Sequence, residues 1–172
     1  MKTRVLPQLD QIAIRPLAGD AEAEFCARVM EQSEPWISLG TGYRALFDLM
    51  RNPARERYVA ALADRIAGFV VINMSGTLAG YIQTICVAPG NRASGIGRLL
   101  MSHAETRIFR DAPNVFLMVS DFNSAARRFY AGLGYLEIGE IPEYLVAGHS
   151  EILMRKTRGP IRGYPAGTWD SG

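Results

Sequence analysis

The stretch from Val87 to Leu100 constrains the fold more than any other part of the chain. A strand-forming run, Tyr81 to Val87, ends against Pro89, which has no amide hydrogen to continue a ladder. Arg92, Gly95 and Gly97 follow, and a helix begins at Ile96 and runs to Arg107, with Leu100, Ala104 and Ile108 on one stripe. A strand that passes straight into a helix commits the chain to a crossover, so the next strand, Val115 to Val119, is expected to lie parallel to it. The same segment has the chemistry of an anion cradle. Its glycines let backbone approach a ligand without a Cβ in the way. The first-turn amides of the helix have no internal acceptor, and the helix dipole favours negative charge there. Arg92 and Arg98 can add charge-assisted bonds. The absence of G-K-[ST] excludes a P-loop, and R-x-x-G-x-G is not the G-x-G-x-x-G of dinucleotide folds.

The other elements follow from periodicity and breakers. Ile12 to Pro16 reads as a strand, and Asp20 as the N-cap of a helix from Ala21 to about Gln32. Leu46, Phe47 and Met50 place a second helix over Tyr43 to Met50. Tyr58–Ala63 and Ala67–Ile72 read as a hairpin turning at Asp64-Arg65. Ser124 to Leu133 is a helix stopped by Gly134, and Tyr135–Glu140 and Ser150–Arg155 are the last strands. The expected fold is α/β (α+β): one mixed, mainly antiparallel sheet of six to seven strands with about four helices, forming one domain over residues 1–156. Residues 157–172 hold four Gly and two Pro without periodicity and are expected to be irregular or disordered, or partly ordered by Tyr164 or Trp169 docking on the body.

Composition narrows the partners. A net charge of +2, with basic and acidic residues interleaved, gives no nucleic-acid footprint. No apolar stretch is long enough for a membrane span, and residues 1–20 lack the apolar core of a secretory leader. Cys26 and Cys86 stand sixty residues apart with no metal-ligand spacing, so a reducing cytoplasm and no metal site are expected.

V-x-P-x-x-R-x-x-G-x-G-x-x-L, here Val87, Pro89, Arg92, Gly95, Gly97 and Leu100, resembles the acetyl-CoA signature of the GNAT acetyltransferase superfamily. Asn123, Ala126, Phe129, Tyr130, Leu133, Gly134 and Tyr135 are similar to that family's second signature, N-x-x-A-x-x-F-Y-x-x-L-G-Y/F. The resemblance implies a transferase that moves an acetyl group from acetyl-CoA to a primary amine, on a small molecule or a peptide N-terminus. It implies that Arg92, Ala93, Ser94, Gly95, Ile96 and Gly97 hold the pyrophosphate, and that the backbone of Ile85 and Val87 pairs with the pantetheine arm. Asn123, by itself a helix N-cap, would also contact the cofactor; Tyr130, by itself a core aromatic, would act as general acid toward the leaving thiolate.

The general base is not fixed by the motifs. Ribosomal-protein N-terminal amine acetyltransferases, to which the chain bears a distant likeness, often carry a Glu where this sequence has Met118. Asp121, Glu143, His149, Glu151, or a water held by Tyr81, Gln83 and Ser120 are the alternatives. By the same resemblance, Glu34, Trp36 and Tyr43 from the first helical region, and Glu143 and Tyr144 from the last strand connection, would line the acceptor groove. The missing Glu also motivates an alternative of another class, a non-catalytic acyl-CoA-binding or sensing domain. The expected partner is an amine-bearing acceptor, with no nucleic acid and no membrane; a homodimer is left open.

Overall fold

The computed structural model describes residues 9–165. In chain order the elements are β1 (Ile12–Pro16), α1 (Gly19–Glu31), α2 (Tyr43–Arg51), β2 (Glu56–Leu62), β3 (Arg65–Asn73), β4 (Tyr81–Val87), α3 (Ile96–Phe109), β5 (Asn114–Ser120), α4 (Ser124–Ala131), β6 (Leu136–Pro142) and β7 (Ser150–Thr157). The seven strands form one sheet in the order β1-β2-β3-β4-β5-β7-β6. Every neighbouring pair is antiparallel except β4 and β5, which run parallel with α3 as their crossover. The mixed, mainly antiparallel sheet with four α-helices among the described residues is the one expected from the sequence.

Helices cover the sheet on both faces, which explains why β3 reads as an unbroken apolar run instead of an alternating one. Val70 and Ile72 pack with Ile96, Leu100, Met101, Ala104 and Ile108 of α3. Phe69 and Val71 face the other way, onto Ala23, Cys26, Ala27 and Met30 of α1 and Leu46 and Met50 of α2. Gly68 sets the spacing under α3. A Cβ there would lie 2.9 Å from the Cys86 carbonyl oxygen and 3.0 Å from Leu100 Cδ1.

Three local expectations are corrected. Asp20 is not the N-cap: the cap residue is Ala18, and Asp20 sits inside the first turn, 2.9 Å from Arg51. Glu22 takes over the capping, accepting from the Ala18 amide at 2.7 Å while pairing with Arg15 at 2.5 Å. The β2–β3 turn is Ala63-Asp64, with Ala63 at φ 50° and Arg65 already in the strand. An extra residue, Ala67, bulges on β3 between the pairs Ala60↔Gly68 and Ala61↔Ile66, which hid the true turn position. Finally, β7 runs to Thr157, and Tyr164 docks on the body by donating to the Phe109 carbonyl oxygen at 2.5 Å. Trp169 lies outside the described residues.

Candidate active site

The sheet is weakest at its centre. β5 pairs with β7 at all seven of its positions, whereas the β4–β5 ladder holds only two pairs, Tyr81↔Phe116 and Ile82↔Leu117. The next residue, Gln83, is an extra one: Val71 faces Thr84 and Ile72 faces Ile82, leaving a bulge at Gln83. A bulge bends its strand and adds twist. Beyond it β4 keeps its ladder to β3 but has none to β5, so the two halves of the sheet diverge.

Two cavities occupy this opening. One, of about 570 Å³, is lined by Ile85, Cys86 and Val87 of β4, by Arg92, Ala93, Gly95, Gly97 and Arg98 around the start of α3, and by Glu34 and Phe129 among others. The second, about 360 Å³, includes Gln83, Thr84, Met118, Ser120, Asn123, Tyr144 and Glu151. They share four residues, Trp36, Ile85, Ala126 and Tyr130, which form the junction between them.

The larger cavity has the build of an anion site. Gly95 is the cap residue of α3 at φ 89°, a conformation L side chains rarely adopt. Ala93 also has positive φ, 60°, and the Ser94 hydroxyl donates to the Asn91 carbonyl oxygen, so the turn is held by its own bonds. Ile96 and Gly97 open the helix, where amides have no partner within the helix. A Cβ on Gly97 would stand 3.4 Å from Phe129 and 3.7 Å from Val87, both lining residues of the cavity. Arg92 is held there by contacts to the Ser33 hydroxyl at 3.2 Å and the Val87 carbonyl oxygen at 3.4 Å.

Tyr130 stands at the junction, 9% exposed, with its ring packed edge-on against Phe129 and Tyr135 at 5.4 and 6.0 Å. Burial, reinforced by Tyr81 and Cys86, pushes its phenol well above the usual range. Burial likewise raises Tyr81 to about 12, with the Glu151 charge adding to it, and the Cys86 thiol to about 12. Burial raises the Cys26 thiol as well, so neither cysteine is a thiolate at neutral pH. Asn123 caps α4, its Oδ1 accepting from the Ala126 amide at 3.2 Å, and its side chain still borders the smaller cavity.

The four carboxylate or imidazole candidates separate clearly. Glu143 accepts from the Gly148 amide at 3.0 Å, inside the β6–β7 connection, and lines neither cavity. Asp121 is held low, first by the Ser150 amide and then by His149, whose Nδ1 lies 3.0 Å away; both side chains lie outside the cavities. Glu151 alone reaches the smaller cavity. It is 5% exposed, faces Ser120 in register across β5 and β7, and accepts from the Ser120 hydroxyl at 2.5 Å. Burial raises its carboxyl above the ordinary range, against the lowering by Ser120.

Of the expected acceptor residues, Trp36 borders both cavities, Glu34 the larger and Tyr144 the smaller. Tyr43 borders neither: it stacks on Phe47 at 5.7 Å beneath the Arg28 guanidinium, within the α1–α2 layer. Helical periodicity had placed Tyr43 at the start of α2 but could not say which face it would take. Sequence reasoning did not flag Phe129, Leu39 and Leu145 as site residues, since nothing marks an apolar side chain as cavity wall instead of core. Among the described residues no cluster of His, Cys, Asp and Glu could hold a metal ion, and no helix is long and apolar enough to cross a membrane.

Comparison with known proteins gives the same architecture. Residues 23–135 match the acetyltransferase (GNAT) family. An uncharacterized N-acetyltransferase of Methanocaldococcus jannaschii is 32% identical over 108 residues, 62% of this chain and 69% of that protein. The ribosomal-protein-S18-alanine N-acetyltransferase of Escherichia coli superposes with a TM-score of 0.70 at 17% identity, covering 90% of this chain and 98% of that one. The spermidine N-acetyltransferase of Vibrio cholerae, solved with CoA and spermine, gives 0.67 at 19% identity, covering 87% and 96%.

Proposed function

Because the chain belongs to the acetyltransferase (GNAT) family, we propose that it is an N-acetyltransferase that moves an acetyl group from acetyl-CoA directly to a primary amine. The observation that carries the reading is the meeting of two cavities at Tyr130 and Ile85, where the β4–β5 ladder stops. One has helix-start amides and Arg92, which suit a phosphate, and the other holds a buried carboxylate, so donor and acceptor could enter separately and meet at one phenol.

The residues of the larger cavity fit coenzyme A. Ala93, Gly95 and Gly97 line it, with Ser94 and Ile96 between them in the chain, and the amides of this turn and first helical residues would hold a pyrophosphate, with Arg92 supplying charge. Beyond Gln83, β4 has a ladder on one side only, so Ile85 and Val87 lie where an extended pantetheine arm could pair as an added strand. Asn123 caps α4 at the border of the acceptor cavity, close to where the arm would end. Acetyl-CoA supplies a thioester, whose carbonyl carbon is the electrophile.

Tyr130 is the general acid in this reading. A phenol held above its ordinary range stays protonated at every working pH, so it can donate to a leaving sulfur but cannot serve as a resting base. No protein nucleophile is required, and the protonated thiol of Cys86 fits direct transfer. Release of free thiol from acetyl-CoA, followed across a panel of primary amines, tests the reading. An acetylated amine with stoichiometric thiol is expected. Tight CoA binding with no turnover on any amine would instead favour a binding domain.

A further inference from the structure

We propose that Glu151 receives the acceptor's ammonium group and takes its proton, and that the acceptor is a monoamine on an apolar body, not a polycation. This rests on the acetyl-transfer reading above and deepens it to a base and a substrate class.

Three observations carry it. First, among the described residues the buried carboxylate of Glu151 has one hydrogen-bond donor, the neutral Ser120 hydroxyl, and no Lys, Arg or His within ion-pair distance. Charges so placed are costly unless paired, so the site is complete only when a cation arrives from outside. Second, among the described residues Glu151 is the sole acid lining the acceptor cavity; its companions are apolar side chains such as Pro35, Trp36, Leu39 and Leu145 and uncharged polar ones such as Gln83 and Asn123. One ammonium can be neutralised, and a second positive charge would find no carboxylate there. Third, the acid that lines the neighbouring cavity, Glu34, is engaged in accepting from the Ser38 amide at 3.2 Å.

The titratable and charged groups acting on Glu151 come from three elements: Tyr81 of β4, Asp121 just after β5, and Tyr144 of the β6–β7 connection as a fellow lining residue. None is a cation. Asp121 and burial both raise the Glu151 carboxyl, moving it toward the proton affinity that a base working near neutrality needs. The step balances as follows. One ammonium proton passes to Glu151, and the freed nitrogen lone pair forms the N–C bond. The C–S bond then breaks, and the sulfur leaves with its electron pair and takes the Tyr130 proton. The remaining N–H proton that the new amide must lose restores the phenol through water, and Glu151 releases its proton to solvent.

The test compares the full chain with Glu151→Gln, which keeps an oxygen for the Ser120 hydroxyl. Thiol release is measured with phenethylamine, hexylamine, spermidine and kanamycin from pH 6 to 9, alongside calorimetric binding of CoA, and of phenethylamine to the CoA complex. The wild type is expected to prefer the two monoamines at least tenfold in kcat/KM. Glu151→Gln should lower that value by about 10²-fold or more, leave CoA affinity unchanged and shift the rate profile to higher pH, where free amine is supplied by solution. A merely structural role would not move the pH profile while sparing CoA binding. Turnover that is indifferent to Glu151→Gln, or a tenfold preference for spermidine or kanamycin, would overturn the inference while leaving acetyl transfer standing. Absence of turnover with phenethylamine binding that depends on Glu151 would sink the transfer reading and uphold the ammonium site.

Discussion

Replacing Gly97 by alanine separates what the helix needs from what the donor site needs. Gly97 is the second residue of α3, and a Cβ there would meet Phe129 at 3.4 Å and Val87 at 3.7 Å, ordinary van der Waals distances. Its φ is not in the left-handed region, unlike that of Gly95. Folding therefore loses nothing to strain, and exchanging glycine for alanine in a helix stabilises by about 0.5–1 kcal/mol. In a chain of this size that is roughly a 1–4 °C rise in Tm. The added methyl also stands between two lining residues of the larger cavity, beside the amides expected to hold pyrophosphate. Loss of close backbone approach should weaken CoA binding by at least about tenfold, equivalent to roughly 1.4 kcal/mol. Thermal unfolding with and without CoA reads both effects: the apo Tm rises and the CoA-induced increment shrinks. Gly97→Ala that binds CoA as the wild type does would refute the placement of the pyrophosphate. A fall in apo Tm would refute the packing argument.

Other outcomes follow from the same geometry. Tyr130→Phe should lower kcat by about 10²-fold with CoA affinity and Tm little changed, because among the described residues no acceptor takes the phenol hydroxyl; single-turnover thiol release checks this. Glu151→Gln should be more stable than the wild type at pH 8, because burial penalises the charged carboxylate. The sign comes from the raised folded-state carboxyl: the wild type pays a penalty absent below the unfolded pKa and growing as pH rises through the folded one. The Tm difference between the two proteins should accordingly vanish near pH 4, and a constant difference would contradict it. Cys86, with its thiol near 12, and the buried Cys26 should resist iodoacetamide at pH 8 in the folded protein and react once it is unfolded, as mass spectrometry would show; rapid modification of Cys86 would reopen a covalent route.

The parts of the fold that rest on local chemistry were legible in the sequence. Pro89, Gly95 and Gly97 announced the strand-to-helix passage, and Asn123 the start of α4, although that helix ends at Ala131 with Gly132 as its cap, two residues short of the Leu133 expected before Gly134. Where side chains act across the chain, legibility stopped. Asp20 has the composition of an N-cap, yet Arg51 from α2 draws it into an ion pair, and Glu22 caps instead because Arg15 orients it. The hairpin turn was misplaced by the Ala67 bulge, which a pattern of period two cannot register. The proposed base was legible only as one of several alternatives, for the same reason. Met118 leaves β5 without a carboxylate, and Glu151 lies far along the chain; register alone sets it opposite Ser120, on the β7 strand beside Met118's own.

The opening at Tyr130 has a structural cause that also limits the chemistry. β1 to β4 are zipped by long antiparallel ladders, and so are β5, β7 and β6, while two residue pairs and the α3 crossover join the halves. A strand bent by the bulge at Gln83 cannot rejoin β5 without giving up its register with β3, so the gap is a property of the rigid parts and not of a loop. Bound there, an extended arm could pair with β4 much as a strand would, and its end would arrive at Ile85 beside the Tyr130 hydroxyl. On the proposed reading the acceptor's ammonium, drawn to Glu151, would approach the same point through the other cavity. With both reactants led to one place by fixed walls, proximity would supply much of the rate, and on the proposed mechanism the protein's own proton work is the removal of one by Glu151 and the delivery of one by Tyr130, whose phenol is then restored through water.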